Sequence, residues 1–366
     1  MSSFHFPPTG RRSFLANASR FLTLGAVLQS RLLRAKEAEL PMPCGQIGSA
    51  HPHAAGKMEA MRNLPELWRV VGIAEPDAGR RAALPTHKIF GGIPLLEQDA
   101  LLGMPAVRAI AVETAIGDST ATALRVLRAA KHVHLDKPGG FDHSAFSAMR
   151  LEAEERKLAL QMGYMLRYNP AFELLFTAVK EGWLGEITEI DCSMGKLADA
   201  GTRAALKSQP GGAMFEIAGH LIDVVVALLG KPQRVEAFST PAQTDGFPDN
   251  QLAVLVYPKA TACVRTNFVD PFGGPRRRFN VTGTQGSFEI MPLESGQLSL
   301  SLSRECGGYK KGVHSVRLNM PRGRYDAEFM DLARVVRGEK TLAWGAAHDI
   351  AVHETILRAA GLWKGA

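Results

Sequence analysis

Residues 132–140 read HVHLDKPGG, which predicts the end of a buried strand followed by a sharp turn. Val133 and Leu135 supply the apolar strand residues, and the two glycines after Pro138 require the chain to turn. Ligands of an open α/β sheet bind outside the carboxyl ends of its strands. The proline restricts the backbone around Lys137 at such an end. We therefore predict that Lys137 serves a binding or catalytic site; the alternative is a surface lysine in a turn.

Repeated strand and helix patterns before this stretch predict a parallel, doubly wound sheet. Strand-like and helical runs alternate at 41–47, 54–64, 68–74, 95–102, 107–112 and 119–130. Gly48, Ala50 and His53 take the positions of a dinucleotide-binding glycine motif, and Glu75 ends the second strand. Such a fold binds pyrophosphate at a helix N-terminus and ribose hydroxyls on the acid. We predict a dinucleotide-binding domain over 39–160; the alternative is an α/β unit that binds no nucleotide.

The pattern changes after residue 185 to residues of alternating polarity in successive strand-like runs. These runs have short turns between them, which predicts a largely antiparallel sheet in a second domain over 161–366. A helical segment within this domain places His220 three residues before Asp223, so the two side chains share a helix face. This spacing is typical of a proton-transfer pair or of a satisfied structural pair, and both readings stay open.

Composition and charge limit the classes of function. The 366 residues are 46% hydrophobic and 22% charged, as in an ordinary two-domain globular protein. The first 40 residues contain six basic and two acidic residues. This segment therefore supplies more than half of the net charge of +7 of the whole chain. The body of the chain therefore gives no argument for nucleic-acid binding. No apolar run reaches the roughly 20 residues that a membrane span needs.

The four cysteines, Cys44, Cys192, Cys263 and Cys306, are widely separated and form no C-x-x-C pair. They indicate neither a zinc site nor a disulfide framework, and we predict no metal site. They also leave the redox compartment open, because four cysteines can still pair.

The N-terminal residues 9–15, TGRRSFL, resemble a twin-arginine export signal, and a modestly apolar segment follows at 21–33. We predict a signal over 1–38 and a periplasmic protein. The alternative is an amphipathic or disordered extension on a cytoplasmic protein.

The order of these pieces resembles the Gfo/Idh/MocA family of oxidoreductases over nearly the whole chain after the leader. The tripeptide at 136–138 corresponds to the family's E-K-P motif, and residues 163–170 correspond to its G-[YF]-x-x-R-[YF]-x-P segment. Residues 219–223 correspond to its G-H-x-x-D helix. The family's T-P-N-x-x-H loop is altered, because residues 114–119 read TAIGDS.

The resemblance implies a Rossmann doubly wound parallel sheet followed by an α+β domain with a large, mostly antiparallel open sheet. It also implies roles for the motif residues. Lys137 would lie between nicotinamide and substrate, and His220 would transfer a proton with Asp223 beside it. The predicted cofactor-binding residues are Gly48, Ala50, His53, Glu75, Thr114, Asp136, Lys137 and Pro138. The predicted substrate-binding residues are Arg167, Tyr168, Asn169 and His220.

The predicted function is that of a nicotinamide-dependent oxidoreductase, with a tightly held cofactor, that moves hydride to or from a sugar, polyol or related hydroxyl compound. We predict NAD over NADP, because the Glu75 carboxylate accepts from the ribose 2′-hydroxyl and repels a 2′-phosphate. The predicted partners are a carbohydrate-like substrate and further copies of the chain, in a dimer or tetramer formed through the open sheet. Two alternatives are a redox-neutral NAD-dependent glycosidase and a catalytically silent sugar- or nucleotide-binding protein.

Overall fold

A computed structural model describes residues 40–207 and 209–363 of the chain. The predicted export signal at 1–38 lies outside these residues. Within them, no helix combines the length and the apolar character needed to cross a membrane.

The first sheet is parallel and has five strands within the described residues, in the order β2-β1-β3-β4-β5. Its strands are β1 (Met42–Ile47), β2 (Trp68–Ala74), β3 (Ala109–Val112), β4 (His132–Leu135) and β5 (Leu160–Met162). All four residues of β3 are buried, as in a sheet covered on both faces. The strand order reverses between β1 and β3, and this switch point is where an open α/β sheet forms its ligand crevice.

Helices connect these strands, and the buried faces of the longer ones supply much of the first core. They are α1 (Ala54–Asn63), α2 (Ala78–Ala83), α3 (Gln98–Leu102), α4 (Ile116–Arg128) and α5 (His143–Glu155), with a 3₁₀ turn at Leu84–Thr86. Met58 and Met61 of α1 and Val126 and Leu127 of α4 are buried. β5 extends the first sheet to Met162, two residues beyond the predicted domain boundary. The division into two domains itself stays a prediction.

The second sheet has eight strands within the described residues, in the order β13-β12-β11-β10-β6-β9-β8-β7. They are β6 (Ile187–Gly195), β7 (Arg234–Thr240), β8 (Asn250–Val256), β9 (Thr261–Asn267), β10 (Arg278–Gly283), β11 (Gly286–Ile290), β12 (Gln297–Leu302) and β13 (Gly312–Arg317). Only β6 and β9 pair in parallel. Burial alternates residue by residue along β8, so one face of the sheet is buried and the other is more accessible.

Helices cover the buried face of this sheet. The second part of the chain contains α6 (Pro170–Lys180), α7 (Ala200–Lys207), α8 (Gly212–Ile217), α9 (Gly219–Leu229), α10 (Gly273–Arg276), α11 (Asp326–Val336) and α12 (Ala346–Ala359), with a 3₁₀ turn at Met165–Tyr168. α9 packs on β6, and α12 packs on both α9 and the first-sheet helix α5. The two sheets therefore share a helical layer.

The predicted fold class is confirmed: a doubly wound parallel sheet is followed by a large, mostly antiparallel one. Two details differ from the sequence-based expectation. The glycine-rich segment before His220 forms a separate short helix, α8, which ends at Ile217 before α9 begins. β13 was not expected, because its residues GVHSVR are mostly exposed and show no apolar strand pattern.

A buried ionic network joins the two parts of the chain. The Arg167 guanidinium donates to both carboxylate oxygens of Asp223 in α9, at 2.6–3.2 Å, and to Asp349 in α12 at 2.7 Å. Arg150 in α5 contacts the other oxygen of Asp349 at 2.9 Å. These four side chains are at most 2% exposed. Burial alone would raise the pKa of Asp223, but Arg167 and His348 hold it below its usual value.

We expect Asp349→Asn to lower the free energy of unfolding by about 3 kcal/mol or more, because it leaves two buried guanidinium groups with one carboxylate fewer. Urea unfolding followed by circular dichroism measures the change. Asp99→Asn is the control, because Asp99 pairs with Arg125 at the surface, where its side chain is 87% exposed, and should leave the unfolding midpoint nearly unchanged. Similar midpoints for both variants would mean that the buried network does not hold the fold together.

Candidate active site

Lys137 lies at the carboxyl end of β4 and reaches across to α8. Its Nζ donates to the backbone oxygen of Glu216 at 2.5 Å and lies 4.0 Å from the Glu216 carboxylate. The side chain is only 2% exposed. The Lys137 ammonium group is therefore buried between the carboxyl end of the parallel sheet and α8, and its role in binding or catalysis stays a prediction.

The backbone around Lys137 is fixed from several sides. Its N–H donates to Asp136 Oδ1 at 2.8 Å, and its carbonyl accepts from His51 Nε2 at 3.2 Å. The Lys137–Pro138 peptide bond is cis. Gly139 follows with a φ of +83°, and a Cβ there would lie 2.6 Å from the Phe146 ring. A side chain at this position would be strained and would clash, so the turn requires glycine.

The carboxylate of Asp136 is the centre of a cluster of basic side chains. Its Oδ2 lies 3.0 Å from His53 Nδ1, 3.3 Å from His51 Nδ1 and 3.8 Å from Lys57 Nζ. Burial alone would raise the pKa of Asp136, but His51, Lys57 and His53 hold it well below its usual value. Asp136 is therefore ionised at neutral pH.

A second buried layer lies behind Asp136. Lys57 donates to Glu328 of α11 at 2.5 Å, and His134 Nε2 lies 2.9 Å from the same carboxylate oxygen. Glu113, directly after β3, has no hydrogen-bond partner for either carboxylate oxygen among the described residues. Burial, together with the neighbouring charge of Asp136, raises the pKa of Glu113 well above its usual value.

His220 follows Gly219 at the start of α9, where a Cβ on Gly219 would lie 3.9 Å from the Lys137 side chain. Its ring is 6.2 Å from the Tyr164 ring and 6.4 Å from the His53 ring, centre to centre. The residue is 4% exposed, and its Nδ1 has no hydrogen-bond partner among the described residues. Burial lowers the pKa of His220 well below its usual value, and Lys137 adds to this shift. The ring is thus neutral at neutral pH.

Asp223 does not partner His220 in the way that the helix spacing suggested. Its carboxylate accepts from Arg167 and lies 2.9 Å from His348 Nε2. The sequence signal for a pair was the i, i+3 spacing, but the Arg167 guanidinium and the His348 ring, from other elements, bind the Asp223 carboxylate instead. The geometry thus gives Asp223 a structural role, and its catalytic role stays a prediction.

The three predicted substrate-binding residues of the 165–169 region all have partners within the protein. Arg167 belongs to the buried ionic network. The Tyr168 hydroxyl accepts from Gln161 at 2.8 Å and donates to Asp331 at 3.3 Å. Asn169 accepts from the Ala171 N–H at the start of α6 and donates to the Leu293 carbonyl. The structure therefore uses these polar groups in its own framework, and their contact with substrate stays a prediction.

The predicted cofactor-binding residues line the switch point between β1 and β3. Gly48 follows β1 with a φ of +87°, and a Cβ there would lie 2.8 Å from the Thr114 backbone. Glu75 follows β2, where its carboxylate accepts from Ser49 Oγ at 2.5 Å and from the Asp77 N–H at 2.9 Å. Ala50 is half-buried between Gly48 and the His53 helix start.

The backbone at these positions is compatible with the binding of a dinucleotide. The N-terminus of α1 carries no side-chain cap and no acidic residue in its first turn, and helix starts of this kind can bind an anion. The acid of Glu75 stands at the second strand end, where the ribose of a dinucleotide binds in such folds.

Sequence reasoning missed most of the buried layer around Asp136. The sequence did contain a signal for this layer. Basic side chains follow β1 closely, at His51, His53 and, one helical turn later, Lys57, which could have indicated that the start of α1 places polar groups in the interior. Glu328 had no comparable signal, because it comes from α11, far along the chain, and only the tertiary fold brings it to Lys57.

Comparison with known proteins gives a domain match and distant relatives. Residues 172–289 match the family model described as the GFO/IDH/MocA C-terminal domain. The oxidoreductase YhhX of Escherichia coli (strain K12) is 25% identical over 268 residues, which cover 70% of this chain and 73% of that protein. The human trans-1,2-dihydrobenzene-1,2-diol dehydrogenase is 26% identical over 196 residues, 52% of this chain and 57% of that enzyme.

A third relative is the scyllo-inositol 2-dehydrogenase (NADP(+)) IolW of Bacillus subtilis (strain 168). It is 24% identical over 214 residues, which cover 57% of this chain and 59% of that enzyme. The chain thus spans less than two thirds of the length of this enzyme and of the human one.

Solved structures confirm the fold. Levoglucosan dehydrogenase, in complex with NADH and levoglucosan, superposes with a TM-score of 0.74 at 17% identity, covering 87% of this chain and 96% of that one. UDP-N-acetylglucosamine 3-dehydrogenase GnnA from Acidithiobacillus ferrooxidans gives a TM-score of 0.73 at 20% identity, covering 88% and 98%. The relatives support the prediction of an oxidoreductase enzyme that acts as a dehydrogenase.

Proposed function

We propose that this protein is a nicotinamide-dependent oxidoreductase of the Gfo/Idh/MocA family that transfers hydride to or from a hydroxyl-bearing carbon of a sugar, polyol or related compound. The observation that carries the proposal is the closeness of two buried side chains, Lys137 and His220, at the carboxyl end of the parallel sheet. The relatives named as dihydrodiol and inositol dehydrogenases support it.

The side chains of the crevice suit the proton and charge changes of such a reaction. Bound nicotinamide would supply or accept the hydride. The Lys137 ammonium stabilises negative charge that develops on the substrate oxygen. The neutral ring of His220 accepts the hydroxyl proton during oxidation, and its protonated form returns that proton during reduction.

Subunit association through the second sheet is part of the proposal. Its accessible side presents apolar groups, among them Phe238 in the edge strand β7 at 57% exposure and Val313 in the opposite edge strand β13 at 77%. Apolar residues on an unpaired edge favour contact with another chain. We propose a dimer or tetramer formed through this sheet.

For the cofactor, we expect the protein to bind NADH more tightly than NADPH, because the Glu75 carboxylate accepts from a ribose 2′-hydroxyl and repels a 2′-phosphate. Glu75→Gln removes the charge and should narrow this preference by about 10-fold or more, on the order of 1.4 kcal/mol. Fluorescence titration of the two reduced cofactors measures the ratio. Tighter NADPH binding by the unmodified protein would contradict the assignment.

For the chemistry, we expect Lys137→Ala to lower kcat by roughly 10²–10³-fold in the turnover of polyols and sugars, because a preorganised charge near a developing oxyanion is lost. Binding of NADH should persist. Lys88→Ala is the control, because Lys88 is an exposed lysine of the same domain. Equal kcat values for the two variants would remove Lys137 from the reaction. A wild-type protein that binds NADH but turns over no hydroxyl compound would favour a silent binding protein.

The location of the protein bears on how it holds its cofactor. We propose export by the twin-arginine route, which carries folded proteins, with the nicotinamide cofactor already bound. A periplasmic dehydrogenase that released its cofactor in each turnover would stall where free cofactor is scarce. A retained cofactor would be restored either by a second substrate or by oxidising and re-reducing one substrate in place.

We therefore expect protein purified without added cofactor, then denatured, to release close to one nicotinamide dinucleotide per chain. Enzymatic cycling of the supernatant measures the amount and separates NAD from NADP. An empty protein that needs millimolar added cofactor would contradict retention, and would favour a cytoplasmic enzyme.

A further inference from the structure

We propose that His51, His53 and Asp136 form a binding site for one divalent transition-metal ion, of the zinc or cobalt type, beside Lys137 and His220. The proposal goes beyond the nicotinamide chemistry above and does not depend on it. It also replaces our sequence-based expectation of no metal site, which considered only the cysteines.

The three side chains offer a compact set of ligand atoms. His53 Nδ1 and His51 Nδ1 lie 3.0 Å and 3.3 Å from Asp136 Oδ2, and the three ligand atoms lie within 4.8 Å of one another. Zinc bonds of about 2.0–2.2 Å in tetrahedral geometry separate neighbouring ligand atoms by roughly 3.3 Å. Two imidazoles and one carboxylate are also the donor set of many catalytic transition-metal sites.

Hydrogen bonding alone leaves part of this geometry unexplained. His51 Nε2 faces the Lys137 carbonyl, which only accepts, so Nε2 carries the proton. His51 Nδ1 then has no proton, and its lone pair accepts from the His53 N–H at 3.2 Å. The same Nδ1 lies 3.3 Å from Asp136 Oδ2, which is also an acceptor atom. Two acceptor atoms at this distance repel each other, and a metal ion bound to both in place of the His53 N–H contact would remove that repulsion.

The surroundings of the ligands have the outer hydrogen bonds typical of metal sites. A metal-bound histidine usually donates its second ring N–H to a carbonyl or carboxylate, and a bound carboxylate is itself hydrogen-bonded. His51 donates from Nε2 to the Lys137 carbonyl, and Asp136 Oδ1 accepts from the Lys137 N–H at 2.8 Å. One backbone unit therefore orients two of the three ligands.

The buried carboxyl group of Glu113 is an independent observation beside the three proposed ligands. The group is fully buried at the end of β3, and Oε2 lies 3.6 Å from His51 Nδ1. Neither oxygen has a hydrogen-bond partner among the described residues, which is costly for a buried carboxyl group in either protonation state. The nearby Lys57 does not compensate, because it is paired with Glu328 at 2.5 Å.

The described residues contain a second cluster of side chains that could bind a metal ion, but its carboxylates already have cationic partners in the protein. Asp223, His348 and Asp349 also lie close together, but Arg167 and Arg150 bind both carboxylates. Cations of the protein already occupy that cluster, so it serves as an internal control.

A metal ion held by His51, His53 and Asp136 would keep at least one open coordination position, because the protein supplies three ligands. The crevice there is shared with His220, whose ring lies 6.4 Å from that of His53. An oxygen atom of a hydroxyl or carbonyl ligand bound to the metal would be polarised by it. The ligand class is thus an oxygen-donor small molecule.

The test uses the full chain, stripped with a chelator and titrated with Zn²⁺ and Co²⁺ by calorimetry. We expect one ion per chain, and a Co²⁺ absorption spectrum of a four- or five-coordinate site. His53→Ala and His51→Ala should each weaken binding by at least about 10-fold. His348→Ala, in the arginine-filled cluster, should leave the affinity unchanged.

Folding is checked by circular dichroism for each variant, and NADH binding is measured separately, so a failed cofactor proposal is distinguishable from a failed metal proposal. Wild-type protein that binds neither ion, or that binds equally well after His53→Ala, would overturn the site. A loss confined to His348→Ala would place the ion in the other cluster and would overturn it too.

Discussion

The buried carboxylate of Asp136 is the constraint on which the rest of the crevice depends. It lies at the carboxyl end of β4, one residue before Lys137, and an ionised carboxylate in such a place must be compensated. His53 and Lys57 from the first β–α unit contribute to that compensation. The loop after β1 is therefore shaped by an electrostatic requirement as well as by the dinucleotide-type turn at Gly48.

A second constraint sets how the two sheets meet. Arg167 follows β5 of the first sheet, but its guanidinium is satisfied only by acids from α9 and α12. Because α9 also carries His220, this network fixes the position of the histidine relative to Lys137. Asp223, which the sequence suggested as part of a proton-transfer pair, instead contacts Arg167 and His348, and its catalytic role stays a prediction.

The sequence predicted the fold well because its signals were local and repeated. Strand and helix alternation indicates a parallel sheet, and runs of period two indicate the antiparallel one. The resemblance to a known family also implied that Lys137 and His220 act together, and their roles stay a prediction. The sequence could not predict the partners of Asp223, or Glu328 beside Lys57, because those contacts join residues distant in sequence. The exposed strand β13 lacked any apolar pattern.

The altered glycine motif has a physical meaning in this structure. A small residue at the third motif position allows close packing of helix and strand, but here His53 turns its ring toward Asp136. The Asp136 carboxylate of the D-K-P tripeptide therefore contacts a histidine of the first β–α loop. Two imidazoles from the loop after β1 and a carboxylate after β4 offer ligand atoms for a cation, while Gly48 and the uncapped start of α1 still suit an anion. The same crevice thus has a cationic and an anionic preference side by side, as a site for a phosphorylated cofactor next to a metal-bound oxygen ligand would require.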